Sequence, residues 1–290
     1  MKIYNIGSAN VDYVYQVPHF VMPGETLSAA SMQVFPGGKG LNQSVALGKA
    51  GAQVIHSSLV GEADGWLIEM LREAHVDTAH TQTVSAPSGH AIIQVDEKGQ
   101  NCILLFAGAN HCFTAALFEQ TLANAEAGDI LLVQNEINGL AELFEIAHRK
   151  GLQIALNPSP FAENLRALPL QYVTYWILNE TEGKGFTGLD KPEEILEALY
   201  SRYPDSNVIL TLGKDGAYFQ NAKQRLYVPA MTVKAVDTTA AGDTFTGYFL
   251  AMIAKGCSVG DAMQTATKAA AITVAREGAA VSIPWHYEVI

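Results

Sequence analysis

Apolar and polar positions follow two alternating rhythms along the chain. Short apolar runs, "IYNIG" (3–7), "VIHSSLVG" (54–61), "DILLVQ" (129–134), "LQIALN" (152–157), "TYWILN" (174–179) and "NVILTLG" (207–213), predict strands. Near 39–50, 64–75, 114–124, 138–150 and 192–203, apolar residues recur every three or four positions and predict helices. Strands and helices taken in turn predict an α/β fold, a parallel sheet covered by helices on both faces. "DILLVQ" and "NVILTLG" are almost unbroken apolar runs, as strands buried on both sides must be.

Two segments depart from this rhythm. Residues 12–36 carry three prolines and alternate apolar with polar, and residues 89–106 read as a hairpin around "DEKGQN". Together they predict a small β-subdomain attached to the main sheet. No repeat or linker interrupts the chain, so 1–290 is read as a single unit with these two segments inserted. After residue 230 come two Ala-rich helical patterns, 242–255 and 259–275, which stop before Gly278 and Pro284. The stretch "DTTAAGDTF" (237–245) straddles the start of the first.

Composition narrows the function. With 290 residues, 49% of them hydrophobic and 16% charged, the chain has ample material for a large core. A net charge of −11 argues against nucleic-acid and anionic-membrane partners, which need a basic footprint. A small anion remains admissible, because helix ends override net charge locally. Cys102, Cys112 and Cys257 form neither a disulfide framework nor a zinc pattern and read as buried thiols of a reduced compartment. The opening "MKIYNIGSANVD" reads as strand and loop rather than a secretory leader, and "GYFLAMIA" is too short to span a bilayer. A soluble cytoplasmic protein is expected.

The candidate chemistry gathers at three places. A helix N-terminus offers unsatisfied N–H groups and the positive end of its dipole. Ala240, Ala241 and Gly242 have almost no side chain, so an anion can approach those N–H groups, with Asp243 beside it. Anion cradle plus carboxylate is what phosphoryl transfer to an alcohol requires, since that catalysis is mostly positioning and charge stabilisation. Taken alone, the stretch is equally consistent with Asp243 merely capping the helix. The second place is "PGGKGLNQSVALGKAG" (36–51), where glycines around Lys39 open a helix. It matches neither a Walker A loop nor a dinucleotide fingerprint, but its backbone N–H groups and Asn42 suit a polyol. The third is the set of polar residues after predicted strands: Asn10 and Asp12 in a loop, Glu136, Asn157, Asn179, Glu182 and 213–216. In an open parallel sheet, ligands bind outside these carboxyl ends.

"GGKGLN", "NETE" and "DTTAAGDTF", in this order after "GSANVD", resemble the ribokinase-like (PfkB) family of carbohydrate kinases over essentially the whole chain. The resemblance implies a Rossmann-like, mostly parallel sheet flanked by helices, with a small β-sheet lid over the site. It implies transfer of the γ-phosphoryl group of ATP to a sugar hydroxymethyl, with ribose or a related pentose or furanose expected. Asp243 is then the catalytic base, and the N–H groups of Ala240, Ala241 and Gly242 form the anion hole. Asn10, Asp12, Gly38, Lys39, Gly40, Asn42 and Glu136 join Asp243 at the sugar. Asn179, Thr211, Leu212, Gly213, Lys214, Asp215, Gly216, Gly242 and Thr267 correspond to the ATP site. Asn179 and Glu182 match an Asn-x-x-Glu motif linked to Mg²⁺ through water. Asp237, Thr239, Thr273, Arg276, Gly278 and Ser282 correspond to a K⁺ site. A homodimer through the lid is also implied.

Two positions depart from the family pattern. Leu41 stands where Ala is common, and its larger side chain beside Asn42 is expected to bear on the sugar pocket. Thr267 falls where the family has a histidine near the adenine. A nucleoside acceptor is the alternative, with Tyr13, Tyr15, Phe20 and Phe106 as a slot for the base. A non-catalytic sugar- or nucleotide-binding regulator on the same fold is a third possibility, and would show a damaged base or anion hole.

Overall fold

The computed structural model describes residues 1–290. The chain begins with β1 (Ile3–Ile6), β2 (Asn10–Gln16), β3 (Ser31–Gly37), α1 (Lys39–Lys49), β4 (Val54–Ser57) and β5 (Leu59–Gly61). It continues through α2 (Trp66–Glu73), β6 (Gln82–Val84), β7 (Gly89–Val95), β8 (Asn101–Phe106) and α3 (Ala115–Thr121). Then follow β9 (Ile130–Gln134), α4 (Leu140–Arg149), β10 (Gln153–Asn157), β11 (Val173–Asn179), α5 (Glu180–Thr187) and α6 (Pro192–Arg202). The last elements are β12 (Asn207–Thr211), β13 (Ala217–Gln220), β14 (Arg225–Val228), α7 (Ala241–Ala254), α8 (Val259–Val274) and α9 (His286–Val289).

The main sheet has eight strands in the order β14-β13-β12-β11-β10-β9-β1-β4. The six from β12 to β4 are parallel, and β13 and β14 extend them as an antiparallel edge. Successive residues of the central strands enter opposite cores. Ile3, Leu132, Ala155, Ile177 and Ile209 pack with α1, α2, α7 and α8. Tyr4, Leu131, Leu156, Leu178 and Leu210 pack with α3, α4 and α6. That period of two explains the unbroken apolar runs. The expected α/β architecture is therefore present. "VIHSSLVG" divides, however, into β4 of the main sheet and β5, which pairs with β6 in a separate two-stranded sheet.

The second sheet has four strands in the order β3-β2-β7-β8. The hairpin around "DEKGQN" joins β7 to β8, with Asp96 Oδ1 accepting the N–H groups of Lys98 and Gln100 and Gly99 at φ 74°. Asn10 and Asp12, expected in a loop, lie on β2 itself, two apart and so on one face. The register carries Val14, Phe35, Ala91, Ile93, Ile103 and Leu105 on that same face. Tyr13, Tyr15, His90 and Phe106 lie on the opposite face, where the His90 and Phe106 rings approach to 5.1 Å.

Three sequence expectations are corrected. Cys102, Cys112 and Cys257 are free but exposed rather than buried, because they sit on an edge strand, a turn and the α7–α8 loop. Leu41 is fully buried in the core with Val45 and lines neither of the two cavities at the α7 N-terminus. A rotation of about 100° per helical residue carries it away from the face of its neighbour Asn42. Helix α5 and strands β13 and β14 lie outside the predicted elements. No helix is long and apolar enough to cross a membrane.

Candidate active site

Helix α7 begins where Ala240 turns into the left-handed region, at φ 61°. Its carbonyl accepts the N–H of Thr244. Of the three N–H groups expected to form the anion hole, that of Ala241 donates to the Thr238 carbonyl at 3.3 Å, while those of Ala240 and Gly242, and also that of Asp243, have no partner within the chain. Asp243 does not cap the helix, since no side chain does. Its carboxylate is buried and turns across to α1. Gln43 Nε2 donates to Oδ1 at 2.8 Å and Asn42 Nδ2 to Oδ2 at 3.1 Å. The capping alternative left open by the sequence is thereby excluded. α1 and α7 come this close because Gly247, one turn beyond Asp243, has no side chain: a Cβ there would lie 3.0 Å from the Gln43 carbonyl oxygen.

Two cavities meet at the α7 N-terminus. The smaller, about 210 Å³, is polar and is lined by Lys39, Asn157, Asn179, Glu182, Asp243 and Ala240 to Gly242. The larger, about 640 Å³, has apolar walls that include Met231, Val233, Phe245, Ala270 and Val274. Thr211, Thr238, Ala241 and Gly242 line both. Gly213, Lys214, Gly216 and Thr267 also border the larger cavity, and the Thr267 hydroxyl is buried without a partner. Leu212 and Asp215, expected there, do not line it. Leu212 packs into the core, and Asp215 offers its carbonyl to the Tyr227 hydroxyl. The wall 230–235 escaped the sequence reading because it is an irregular segment with no periodic pattern.

The Gly-rich turn is occupied differently from the expectation. Glu136 Oε2 accepts the Lys39 N–H at 2.8 Å, and Ser8 Oγ donates to the same carboxylate oxygen. Ser8 Oγ accepts the Gly40 N–H and the Ser8 carbonyl accepts that of Leu41. These N–H groups therefore anchor α1 to β1 and Glu136 and are not left for a polyol. Gly38 holds the turn at φ 90° against Asn10 and Ser8. The Gly38 N–H has no partner within the chain and remains here, together with side chains, as a group free to bind. Asn42 Oδ1 is buried without a partner. Asn10 Oδ1 accepts from Asn110, which also accepts the Ala9 N–H; Asn110 carried no motif and was missed.

Charge is concentrated at this end. Burial, reinforced by the nearby Glu136 carboxylate, pushes Asp12 up to about 7. Burial likewise raises Glu136, against the opposing pull of Lys39 and Ser8. Burial works against the charge on Lys39, but Asp243, Glu136 and Glu182 outweigh it and raise its pKa. Lys39 thus lines the polar cavity with the carboxylates of Asp243 and Glu182, beside the helix N-terminus, as well as feeling Glu136 at the expected sugar end.

"NETE" forms a capping box at α5, the helix missing from the sequence reading. Asn179 Oδ1 accepts the Glu182 N–H at 2.9 Å, and Glu182 Oε2 accepts that of Asn179 at 3.0 Å. Glu182 is 4% exposed yet borders the polar cavity. No group of three or more acidic, His or Cys side chains could enclose a metal by itself. In the expected cation region, Asp237 ties two loops together, accepting the N–H groups of Thr239 and Gly278. Thr273 and Ser282 bond their hydroxyls to nearby carbonyls of Ala269 and Ala279. The Arg276 guanidinium pairs with Glu288 at 2.6 Å, so only its backbone can contribute.

Residues 2–286 match the family described as pfkB family carbohydrate kinase. The ribokinase of Haemophilus influenzae is 34% identical, the alignment covering 98% of this chain and 96% of the relative. A ribokinase structure from Cryptococcus neoformans, in complex with ADP, superposes with a TM-score of 0.88 at 33% identity, covering 99% and 98% of the two chains. The Arabidopsis thaliana ribokinase complexed with ribose and ATP gives a TM-score of 0.87 at 26% identity, covering 99% and 96%. With a matching fold, matching length and a family match from end to end, this chain belongs to the pfkB family of carbohydrate kinases.

Proposed function

We propose that this chain is an ATP-dependent pentose kinase that phosphorylates the hydroxymethyl group of ribose or a close relative. One observation carries the proposal. Asp243 lies buried where a polar cavity meets an apolar cleft, beside two helix N–H groups with no partner of their own. The apolar cleft suits a nucleobase and its mouth at Gly242 suits the phosphates. Asn10, Asp12, Asn42 and Glu136 supply hydrogen-bonding groups for sugar hydroxyls.

In this scheme Asp243 accepts the proton of the attacking hydroxyl, while Asn42 and Gln43 hold its two oxygens. The N–H groups of Gly242 and Asp243, with the Lys39 ammonium, stabilise the negative charge of the transferring phosphoryl group. Glu182 is the residue that would hold Mg²⁺, through water, since its buried carboxylate borders the cavity without a full set of protein ligands around it. Mg²⁺ supplies charge neutralisation to the phosphates. For K⁺, Asp237 and the carbonyls of the 273–282 loop would hold the ion. Its effect would be to order the loop leading to Ala240. Closure of the second sheet would exclude water, the competing acceptor.

A nucleoside acceptor has less support. Tyr13, Tyr15 and Phe106 lie on the face opposite Asn10 and Asp12, and the site-side face is mainly aliphatic. The regulator alternative requires a damaged base or anion hole, whereas Asp243 and Gly242 are intact. We place the enzyme in the cytoplasm, where ATP is abundant and three exposed thiols stay reduced. A homodimer through the second sheet is favoured by the exposed Ile103, Leu104, Leu105 and Phe106 of edge strand β8.

The test is coupled ADP release from Mg-ATP with ribose, 2-deoxyribose, fructose, fructose phosphates and nucleosides, each with and without K⁺. Turnover on a pentose supports the proposal, and turnover on nucleosides alone overturns the acceptor. Light scattering that returns a monomer overturns the dimer.

A further inference from the structure

Behind Asp243 lies a chain of buried polar side chains drawn from β1, α1, β4, β9 and β10. Gln43 is fully buried, and its Nε2 donates to Asp243 Oδ1 at 2.8 Å and to Asn157 Oδ1 at 2.9 Å. Its Oε1 accepts from Gln134 Nε2 at 2.6 Å. Gln134 Nε2 also donates to Asn5 Oδ1 at 3.0 Å. Asn5 Nδ2 in turn donates to the Gly40 carbonyl and to Ser44 Oγ, both at 2.8 Å. Ser44 accepts there, so its own hydrogen goes to His56 Nδ1 at 2.8 Å. Burial pushes His56 down to about 3, which leaves that ring neutral and able to accept.

The polarity of this chain is determined at its ends. The Gly40 carbonyl and the Asp243 carboxylate can only accept, so the amides facing them must present nitrogen. Asn157 is oriented in the same way, donating to the Ile177 carbonyl at 2.9 Å. Both N–H hydrogens of Gln43, Gln134 and Asn5 are used. Reversing Gln43 would set oxygen against the oxygens of Asp243 and Asn157, and nitrogen against the nitrogen of Gln134. A buried clash of that kind forfeits several hydrogen bonds at once.

We infer that Gln43 is a positioning residue for the catalytic carboxylate. Its amide, locked by Gln134, Asn5 and Asn157, fixes the direction in which Asp243 presents its oxygens. The inference rests on Asp243 being the base of the proposed transfer. Gln43 touches neither substrate: it lines neither cavity and acts through Asp243 alone.

The experiment compares wild type with Gln43→Met, Gln43→Glu and Asp243→Ala, using pH profiles of kcat and separate KM values for sugar and ATP. Gln43→Met keeps the volume and removes the donor. A misdirected base should lower kcat by about 10- to 100-fold, with both KM values within about threefold of wild type. Gln43→Glu keeps the size and the acceptor for Gln134 but sets a second carboxylate against Asp243. Like charges raise the pKa of such a pair, so the acid limb of kcat should move to higher pH. That shift shows that position 43 abuts the titrating base, whereas a fall in kcat of Gln43→Met with both KM values held is what a merely structural amide would not give. If Asp243→Ala retains turnover, the assignment of the base itself fails. If Asp243→Ala is inactive while both Gln43 variants keep the wild-type kcat and pH profile, the positioning role alone is overturned. Should Gln43→Met fail to melt cooperatively, Gln43→Glu decides. If neither folds, the amide is a structural element and the inference falls.

Discussion

Gly247 on α7 and Ala46 on α1 touch with no room for a side chain between them. A Cβ on Gly247 would lie 3.0 Å from both the Gln43 carbonyl oxygen and the Leu47 nitrogen, and closer still to Ala46 Cβ. One turn up α7 from this contact is Asp243, and Asn42 and Gln43 on α1 are the residues it meets. The distance between two helices thus becomes the geometry of a carboxylate.

Gly247→Ala should therefore damage both fold and function. In an isolated helix alanine is better than glycine by about 1 kcal/mol. Here the added methyl must push α1 and α7 apart, and overpacking of this kind costs about 1–3 kcal/mol. A lower melting temperature and a fall in kcat larger than the change in KM for ATP are expected. A variant with raised stability and full kcat would show that the two helices can separate without disturbing Asp243.

Gly242 offers the opposite case. A Cβ there meets nothing within 4 Å, because it would project into open space at the junction of the two cavities. Gly242→Ala should melt at or above the wild-type temperature, since alanine gains about 0.5–1 kcal/mol in a helix. Yet the methyl would occupy the approach to the unpartnered N–H groups, and misplacing a phosphoryl group by about 1 Å can cost on the order of 100-fold in rate. Loss of kcat/KM for ATP with unchanged stability is the expected pair of results. Unchanged kinetics would remove the anion from this helix end.

Much of the fold was legible because the central strands are buried on both faces and so show as unbroken apolar runs. Helix α5 was not, because its "ETEGKGFT" holds two glycines and few apolar residues, and its start was consumed by a motif read as chemistry. The same four residues are a capping box, and sequence cannot tell a carboxylate that caps from one that also faces a ligand. Asp243 and Glu136 were found through local pattern. Gln43, Asn110 and Gln134 were not, because each matters through partners 91 to 200 positions away. Which face of β2 carries Asn10 and Asp12 follows from strand register, which the alternation alone leaves unassigned to a ligand.

Glu182→Gln separates the two roles of "NETE". A capping box accepts Gln at its third position as readily as Glu, so α5 should stay capped, and the melting temperature should fall by no more than a few degrees. The charge bordering the polar cavity would be gone. The Mg²⁺ concentration needed for half-maximal activity should rise, and kcat at limiting Mg²⁺ should fall. Asn179→Ala should behave differently, losing roughly 1 kcal/mol of stability with its cap. If Glu182→Gln leaves the Mg²⁺ dependence unmoved, the carboxylate serves the helix alone.

Asp12 makes stability fall with rising pH. Burial, then the Glu136 carboxylate, raises it from 3.8 to about 7 in the folded protein. Between those values the folded chain holds a proton that the unfolded chain has released. Stability therefore declines as pH rises through this window, because the folded state binds more protons. The full cost, on the order of a few kcal/mol, is reached above about pH 7. His56 acts in the opposite sense: pushed from 6.5 to about 3 by burial, it adds stability as pH rises from about 3 to 6.5. The net profile of the wild type mixes these two with the raised Glu136, which acts in the same sense as Asp12, so the difference from a variant is the informative quantity. Asp12→Asn removes only the first contribution. Its melting temperature relative to wild type should increase steadily from pH 4 to pH 7 and level off above. A constant difference across that range would mean that the carboxylate titrates in the folded protein as it does in the unfolded chain, and that Glu136 and burial exert no hold on it.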